Sequence, residues 1–151
     1  MKATPRSLIT KPSGPWEPAP FTGEVSKVSD KSSRAKGSKG EEIVRDYLRK
    51  QGMKILDMNF RVKIGEIDII AKEKDTLVFV EVKSATSVNF GNPLGWVTPQ
   101  KQQRIVRVSQ WYLMNKGLHN ASIRFDVVSV DPDRKICHVR DAFRPESEFS
   151  V

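Results

Sequence analysis

The chain carries 26 Lys and Arg against 18 Asp and Glu in 151 residues, a net charge of +8. That length suits one domain with a real core, and the basic excess points to a polyanionic partner, nucleic acid before an acidic membrane. One cysteine, Cys137, excludes an internal disulfide framework and fits a reducing, cytoplasmic setting. No apolar run approaches the roughly 18 residues of a membrane span, and the N-terminus lacks the apolar core of a secretory signal.

Residues 1–37 show no hydrophobic period and read as a disordered or loosely attached basic arm, with residues 38–151 as the folded domain. Ser38 and Glu41 have the spacing of a capping box, which starts a helix there. Ile43, Val44, Tyr47 and Leu48 form its apolar stripe and Gly52 suits its C-terminal cap. Three strands follow, "MKILDMNFRV", "GEIDIIA" and "TLVFVEVK", the last two joined by the polar turn "KEKD". After the loop "NFGNPLGWV", Thr98 is the expected N-cap and Pro99 the first residue of a second helix, through "QKQQRIVRVSQWYLMNKG". "ASIRFDVVSV" and "KICHV" are two further strands around the turn "DPDR". The order α-β-β-β-α-β-β predicts an α/β mixed sheet flanked by helices.

The chemistry concentrates in "GEIDIIAKEKDTLVFVEVKS". Alternate strand residues share a face, so Glu66, Asp68 and Ile70 look one way and Ile67, Ile69 and Ala71 the other. On the next strand Leu77, Phe79, Glu81 and Lys83 share a face. A four-residue turn pairing Ala71 with Thr76 sets Glu66 across from Glu81, with Asp68 on the diagonal. Two like charges about 4 Å apart cost roughly 4 kcal/mol at an effective dielectric near 20. Protonation relieves that repulsion, and so does a cation with oxygen ligands, Mg²⁺ or Mn²⁺. Lys83 would then position water or stabilise charge on a phosphate. On spacing alone, a solvated sheet face with a Glu–Lys ladder accounts for the same pattern.

Both helices offer partners. Glu41 lies at the edge of the Val44–Leu48 stripe while Glu42 points away. Lys101 aligns with Ile105, Val108 and Tyr112, which puts a basic group on the inward face of the second helix at its first turn, where free N–H groups also attract anions. Arg104 and Arg107 continue a basic edge suited to a phosphate backbone, or to solvent. Asp126 shares a strand face with Arg124 and Val128, as a paired structural charge or a further polar group near the site. His119 and His138 have no partner at metal-ligand spacing, and the chain holds neither a phosphate-cradling Gly-x-x-x-x-Gly-Lys loop nor a Gly-x-Ser-x-Gly elbow.

In order and spacing, "GEEIVRDYLRKQGMKILDMNFRVKIGEIDIIAKEKDTLVFVEVKS", "FGNPL", "VTPQKQQRI" and "RFDVV" resemble the YraN family of endonuclease-like bacterial proteins, over about residues 38–130. The resemblance implies a restriction-endonuclease-like fold, similar to archaeal Holliday-junction resolvases, with the PD-(D/E)XK nuclease motif in the form Gly-Glu-Ile-Asp followed by Phe-Val-Glu-Val-Lys. It implies Asp68 and Glu81 as metal ligands, Lys83 as the motif lysine, and Glu41 as the helical glutamate that completes the catalytic set. Lys101 matches the family's basic residue on the second helix. Glu66 belongs to the motif without being a ligand. The implied activity is Mg²⁺- or Mn²⁺-dependent cleavage of DNA, branched or junction DNA included, in which a homodimer would cut two strands. A binding module that keeps the site without cleaving is the alternative. Relatives follow the motif lysine with a Thr-Arg-like pair, whereas Ser84 and Ala85 stand here, so that basic contact is missing.

Overall fold

The computed structural model describes the backbone of residues 31–84 and 95–145 and the side chains of residues 39–84 and 95–145. The arm up to residue 30, Ala85 and the "FGNPL" stretch lie outside the described residues. The elements are α1 (Lys31–Lys50), β1 (Lys54–Val62), β2 (Gly65–Glu73), β3 (Thr76–Ser84), α2 (Pro99–Lys116), β4 (Ser122–Val130) and β5 (Ile136–Val139). The expected order holds, in a five-stranded sheet β1-β2-β3-β4-β5. β3 and β4 pair in parallel and every other neighbouring pair is antiparallel, so α2 is the crossover that the parallel pair requires.

One helix covers each face. Val44 and Leu48 of α1 are fully buried against Ile69, Ala71, Val78, Val80 and Val128. Ile105, Val108, Tyr112 and Leu113 of α2 pack with Ile70, Phe79, Phe125 and Val127 on the other side. Tyr112 meets Phe60 and Phe79 edge-on, at ring-centroid distances of 5.1 and 6.0 Å, a geometry that suits the ring quadrupoles.

The expected caps of α2 are in place: Thr98 accepts from the Lys101 N–H, and Gly117 closes the helix in a left-handed conformation at φ 67. Gly52 ends α1 at φ 86. Its N–H donates to Arg49 O and that of Met53 to Leu48 O, the two hydrogen bonds of a Schellman motif.

Two expectations need correction. α1 begins at Lys31 and runs through Ser38, so Ser38 lies inside the helix and is not its N-cap, a position that needs non-helical backbone. The β2–β3 connection is also shorter than "KEKD". Glu73 pairs with Thr76, and Lys74, at φ 51, takes the left-handed conformation that lets two residues turn the chain. Ala71 therefore faces Val78 instead of Thr76. The slip is by two residues, so each side chain keeps its face while its neighbour changes.

Candidate active site

The ladder between β2 and β3 runs from Glu73–Thr76 to Ile69–Val80. The regular pairing stops there, one residue short of Asp68 and Glu81. The two-residue slip removes the expected pairing of Glu66 with Glu81, and with it the expected diagonal of Asp68. Where the pairing stops, the Val82 N–H donates to Asp68 Oδ2 at 2.7 Å, so a side chain occupies the space between the two strands. The strict alternation expected along β2 also fails there. Ile67 joins the cluster on the α2 side while Ile69 joins the one on the α1 side. Asn59, which the β1–β2 register sets beside Asp68, has φ 54, a left-handed conformation that Asn tolerates better than most residues. The sheet is irregular on two adjacent strands at the level of the acidic pair.

This geometry shapes the electrostatics. Burial, then the neighbouring Glu81, push the Asp68 carboxyl up to about 7, against the lowering effect of the Val82 N–H. Glu41 on α1 raises it further and Lys101 on α2 lowers it, so both helices act on one carboxyl. Glu81 is only 5% exposed. Its Oε1 lies 3.3 Å from Lys83 Nζ and 3.4 Å from Lys101 Nζ, while Oε2 is buried with no hydrogen-bond partner. Asn59 Nδ2 donates to Glu41 Oε2 at 2.8 Å, which ties the helical glutamate to the irregular rung; Glu42 is exposed.

The structure thus brings Glu41, Asp68, Glu81, Lys83 and Lys101 together. Glu66 departs from the group to pair with Arg61 at 2.8 Å. Arg104 lines an open groove of about 580 Å³ with Lys101, Arg61, Lys63 and Glu66, while Arg107, also exposed, is not among the groove residues. Residue-by-residue reading missed Asn59, Arg61 and Lys63. The two basic residues of "NFRVKIG", Arg61 and Lys63, were the available signal.

Asp126 stands apart from this site. It is fully buried on β4, where Arg124 donates to both carboxylate oxygens at 2.8 and 2.9 Å and His138 Nε2 lies 2.8 Å away. Burial alone would raise its pKa, but hydrogen bonds from His138, Arg124 and the Asp141 N–H outweigh it and hold the carboxyl below its ordinary value. The paired-charge reading of Asp126 holds. Arg124 also reaches Glu73 at 2.7 Å, which pins β4 to the end of the β2–β3 hairpin.

Among the described residues, no group of three His, Cys, Asp or Glu side chains could hold a metal ion. Mg²⁺ does not need such a cage, because it binds through one or two carboxylates and keeps several waters. The orphaned buried oxygen of Glu81 and the carboxyl of Asp68, which resists ionisation beside it, fit a hard cation of that kind.

An α/β domain with a buried acidic pair, a Glu-x-Lys strand end and a glutamate delivered from a flanking helix is the class that fold and site define. The chain belongs to the YraN family: residues 40–130 match the group described as "Uncharacterised protein family UPF0102". A UPF0102 protein of Clostridioides difficile strain 630 is 43% identical over 113 residues, covering 74% of this chain and 99% of that one. One from Caldanaerobacter subterraneus subsp. tengcongensis is 47% identical, covering 71% of this chain and 93% of that one. Among solved structures, the chain is 16% identical to SSO0001, with a TM-score of 0.39 over 73% of this chain and 52% of that protein. Pyrococcus furiosus SfsA, solved in complex with Ca²⁺, gives 16% and a TM-score of 0.31 over 72% of this chain and 63% of that one. Likeness at this level bears on neither mechanism nor substrate.

Proposed function

We propose that the chain is a Mg²⁺- or Mn²⁺-dependent nuclease that hydrolyses phosphodiester bonds in DNA, branched DNA included. The observation that carries this reading is the pairing of a buried, unbonded Glu81 oxygen with a neighbouring Asp68 that holds its proton to about 7. Two buried acidic groups, one with an oxygen that no donor reaches and one kept from ionising by burial and its neighbour, suit a divalent ion better than a structural role. Asp68 and Glu81 would hold the ion, which when bound polarises a phosphoryl oxygen and lowers the pKa of water. Lys83 sits on Glu81 Oε1 and is 39% exposed, so its ammonium can orient an attacking water and offset charge developing on the phosphate. Glu41, held by Asn59, supports the acidic cluster from α1, directly or through water. Lys101 bridges Glu81 to the basic groove and can receive a backbone phosphate.

A nucleic-acid-binding module with little catalysis is the second reading. It is favoured by the two lysines that already neutralise Glu81 Oε1. The two readings separate on a panel of single-stranded, duplex, flap and four-way-junction DNAs with Mg²⁺ or Mn²⁺. The nuclease reading expects cleavage by the wild type that Asp68→Ala and Lys83→Ala abolish. Equal activity in all three proteins, or none in any, removes it. Binding that survives both substitutions without any cleavage favours the module.

A further inference from the structure

The basic groove has one feature that phosphate binding does not use. β1 and β2 are joined by a two-residue turn, Lys63-Ile64, closed by the Val62–Gly65 pair. Ile64 is 49% exposed at its tip and belongs to neither hydrophobic cluster. Half of a large aliphatic side chain is thus left in water, and a solvent-facing turn is ordinarily polar. The turn is held close to α2. A Cβ on Gly65 would lie 3.2 Å from Val108 Cγ2 and 3.8 Å from Arg104 Cβ, so the absent side chain lets the hairpin lean on the helix. Ile64 thereby lines the same groove as Arg61, Lys63, Lys101 and Arg104, four cations against the single carboxylate of Glu66. The groove leads to the site, because Lys101 Nζ lies 3.4 Å from Glu81 Oε1.

We infer that the Lys63-Ile64 turn reads an unpaired base, with Ile64 packing on the base face while the flanking cations hold the adjoining phosphates. In an intact duplex the base faces are stacked, and an aliphatic wedge reaches one only by forcing a step apart, at a cost in stacking. An unpaired base offers its face without that cost and takes apolar or aromatic partners irrespective of sequence. The occupant is therefore a nucleic acid with an unpaired segment beside the phosphate that reaches Glu81, such as a strand overhang or a branch. The inference rests on the reading of the groove as a nucleic-acid site, and names the substrate class that site selects.

The test is equilibrium binding by fluorescence anisotropy with EDTA present, so that no cleavage intervenes. Three DNAs are compared: a blunt duplex, the same duplex with a single-stranded overhang, and the single strand alone. The wild type is expected to prefer the overhang to the blunt duplex by on the order of tenfold. Ile64→Ala is expected to remove most of that preference while changing blunt-duplex affinity less than about twofold, because seating the wedge in a stacked step costs the unstacking that an unpaired base avoids. Lys63→Ala should weaken all three alike and flatten the salt dependence, as loss of a phosphate contact does. A 2-aminopurine at the first unpaired position should change fluorescence on binding to the wild type and not to Ile64→Ala. An overhang preference that persists in Ile64→Ala, or a wild type without preference, overturns the inference. If the preference behaves as expected and no DNA is cut with Mg²⁺ or Mn²⁺, the nuclease reading fails and the base-reading turn stands.

Discussion

Replacing Asp68 with Asn should make the metal-free protein more stable, and increasingly so as pH rises. The folded state holds the Asp68 carboxyl at about 7 against an ordinary value of 3.8. A carboxyl raised in this way favours folding while protonated, and the unfolded chain ionises first. The stability it lends is complete below the unfolded value, declines as pH climbs from about 4, and is gone above about 7. Each pH unit of that window is about 1.4 kcal/mol, so the ionised side chain costs up to about 4 kcal/mol in neutral to alkaline buffer. Asn removes the charge and keeps an oxygen for the Val82 N–H that Asp68 accepts at 2.7 Å. Denaturant unfolding of both proteins in EDTA at pH 4.5 and pH 8 measures the difference directly. The variant should match the wild type within about 1 kcal/mol at pH 4.5 and exceed it by roughly 2–4 kcal/mol at pH 8. Added Mn²⁺ should narrow that gap by stabilising the wild type alone. An advantage that is the same at both pH values, or absent at pH 8, would refute the buried-acid argument.

Three further outcomes are expected. Asp126→Ala strands Arg124 and His138 in the interior, and equilibrium unfolding should show a loss of about 3–5 kcal/mol; a loss under 1 kcal/mol would mean that the network is dispensable. Because the Asp126 carboxyl is held below its ordinary value, its contribution is present above pH 4 and fades as pH falls through the folded value, so an acid titration of unfolding free energy should be steeper for the wild type than for Asp126→Asn. Gly52→Ala forces a side chain into φ 86, where no atom lies within 4 Å. The cost of about 1 kcal/mol is then one of backbone conformation, and should appear in thermal melts with no effect on DNA binding.

Strand parity was enough to place Asp68, Glu81 and Lys83 in one neighbourhood, and the Thr98-Pro99 start and Gly117 end of α2 were legible from local chemistry. Other features escaped. Lys74 adopts φ 51 without being the Gly or Asn that would signal a tight turn, so the hairpin register was read two residues out. The faces survived that error because it was even, but the β2 alternation still failed between Ile67 and Ile69. The start of α1 carried no signal either, since "KSSRAKGSKG" has no apolar period with which to mark a helix. The Asp126–His138 and Glu41–Asn59 contacts join residues far apart in the chain, beyond the reach of local periodicity. Lys63 and Ile64 fell between two predicted strands, and the Val62–Gly65 pairing makes them a two-residue turn with Ile64 at its tip.

If Asp68, Glu81 and Lys83 form a metal-dependent hydrolytic site, cleavage needs both Mg²⁺ and the Glu81 carboxylate. The most direct measurement is the rate at which end-labelled DNA carrying an unpaired branch is cut by the wild type and by Glu81→Gln, each with Mg²⁺ and with EDTA. Cleavage is expected from the wild type with Mg²⁺ and not with EDTA, with a drop of at least about a hundredfold in the variant. Cleavage that survives EDTA, or that Glu81→Gln leaves intact, would contradict it.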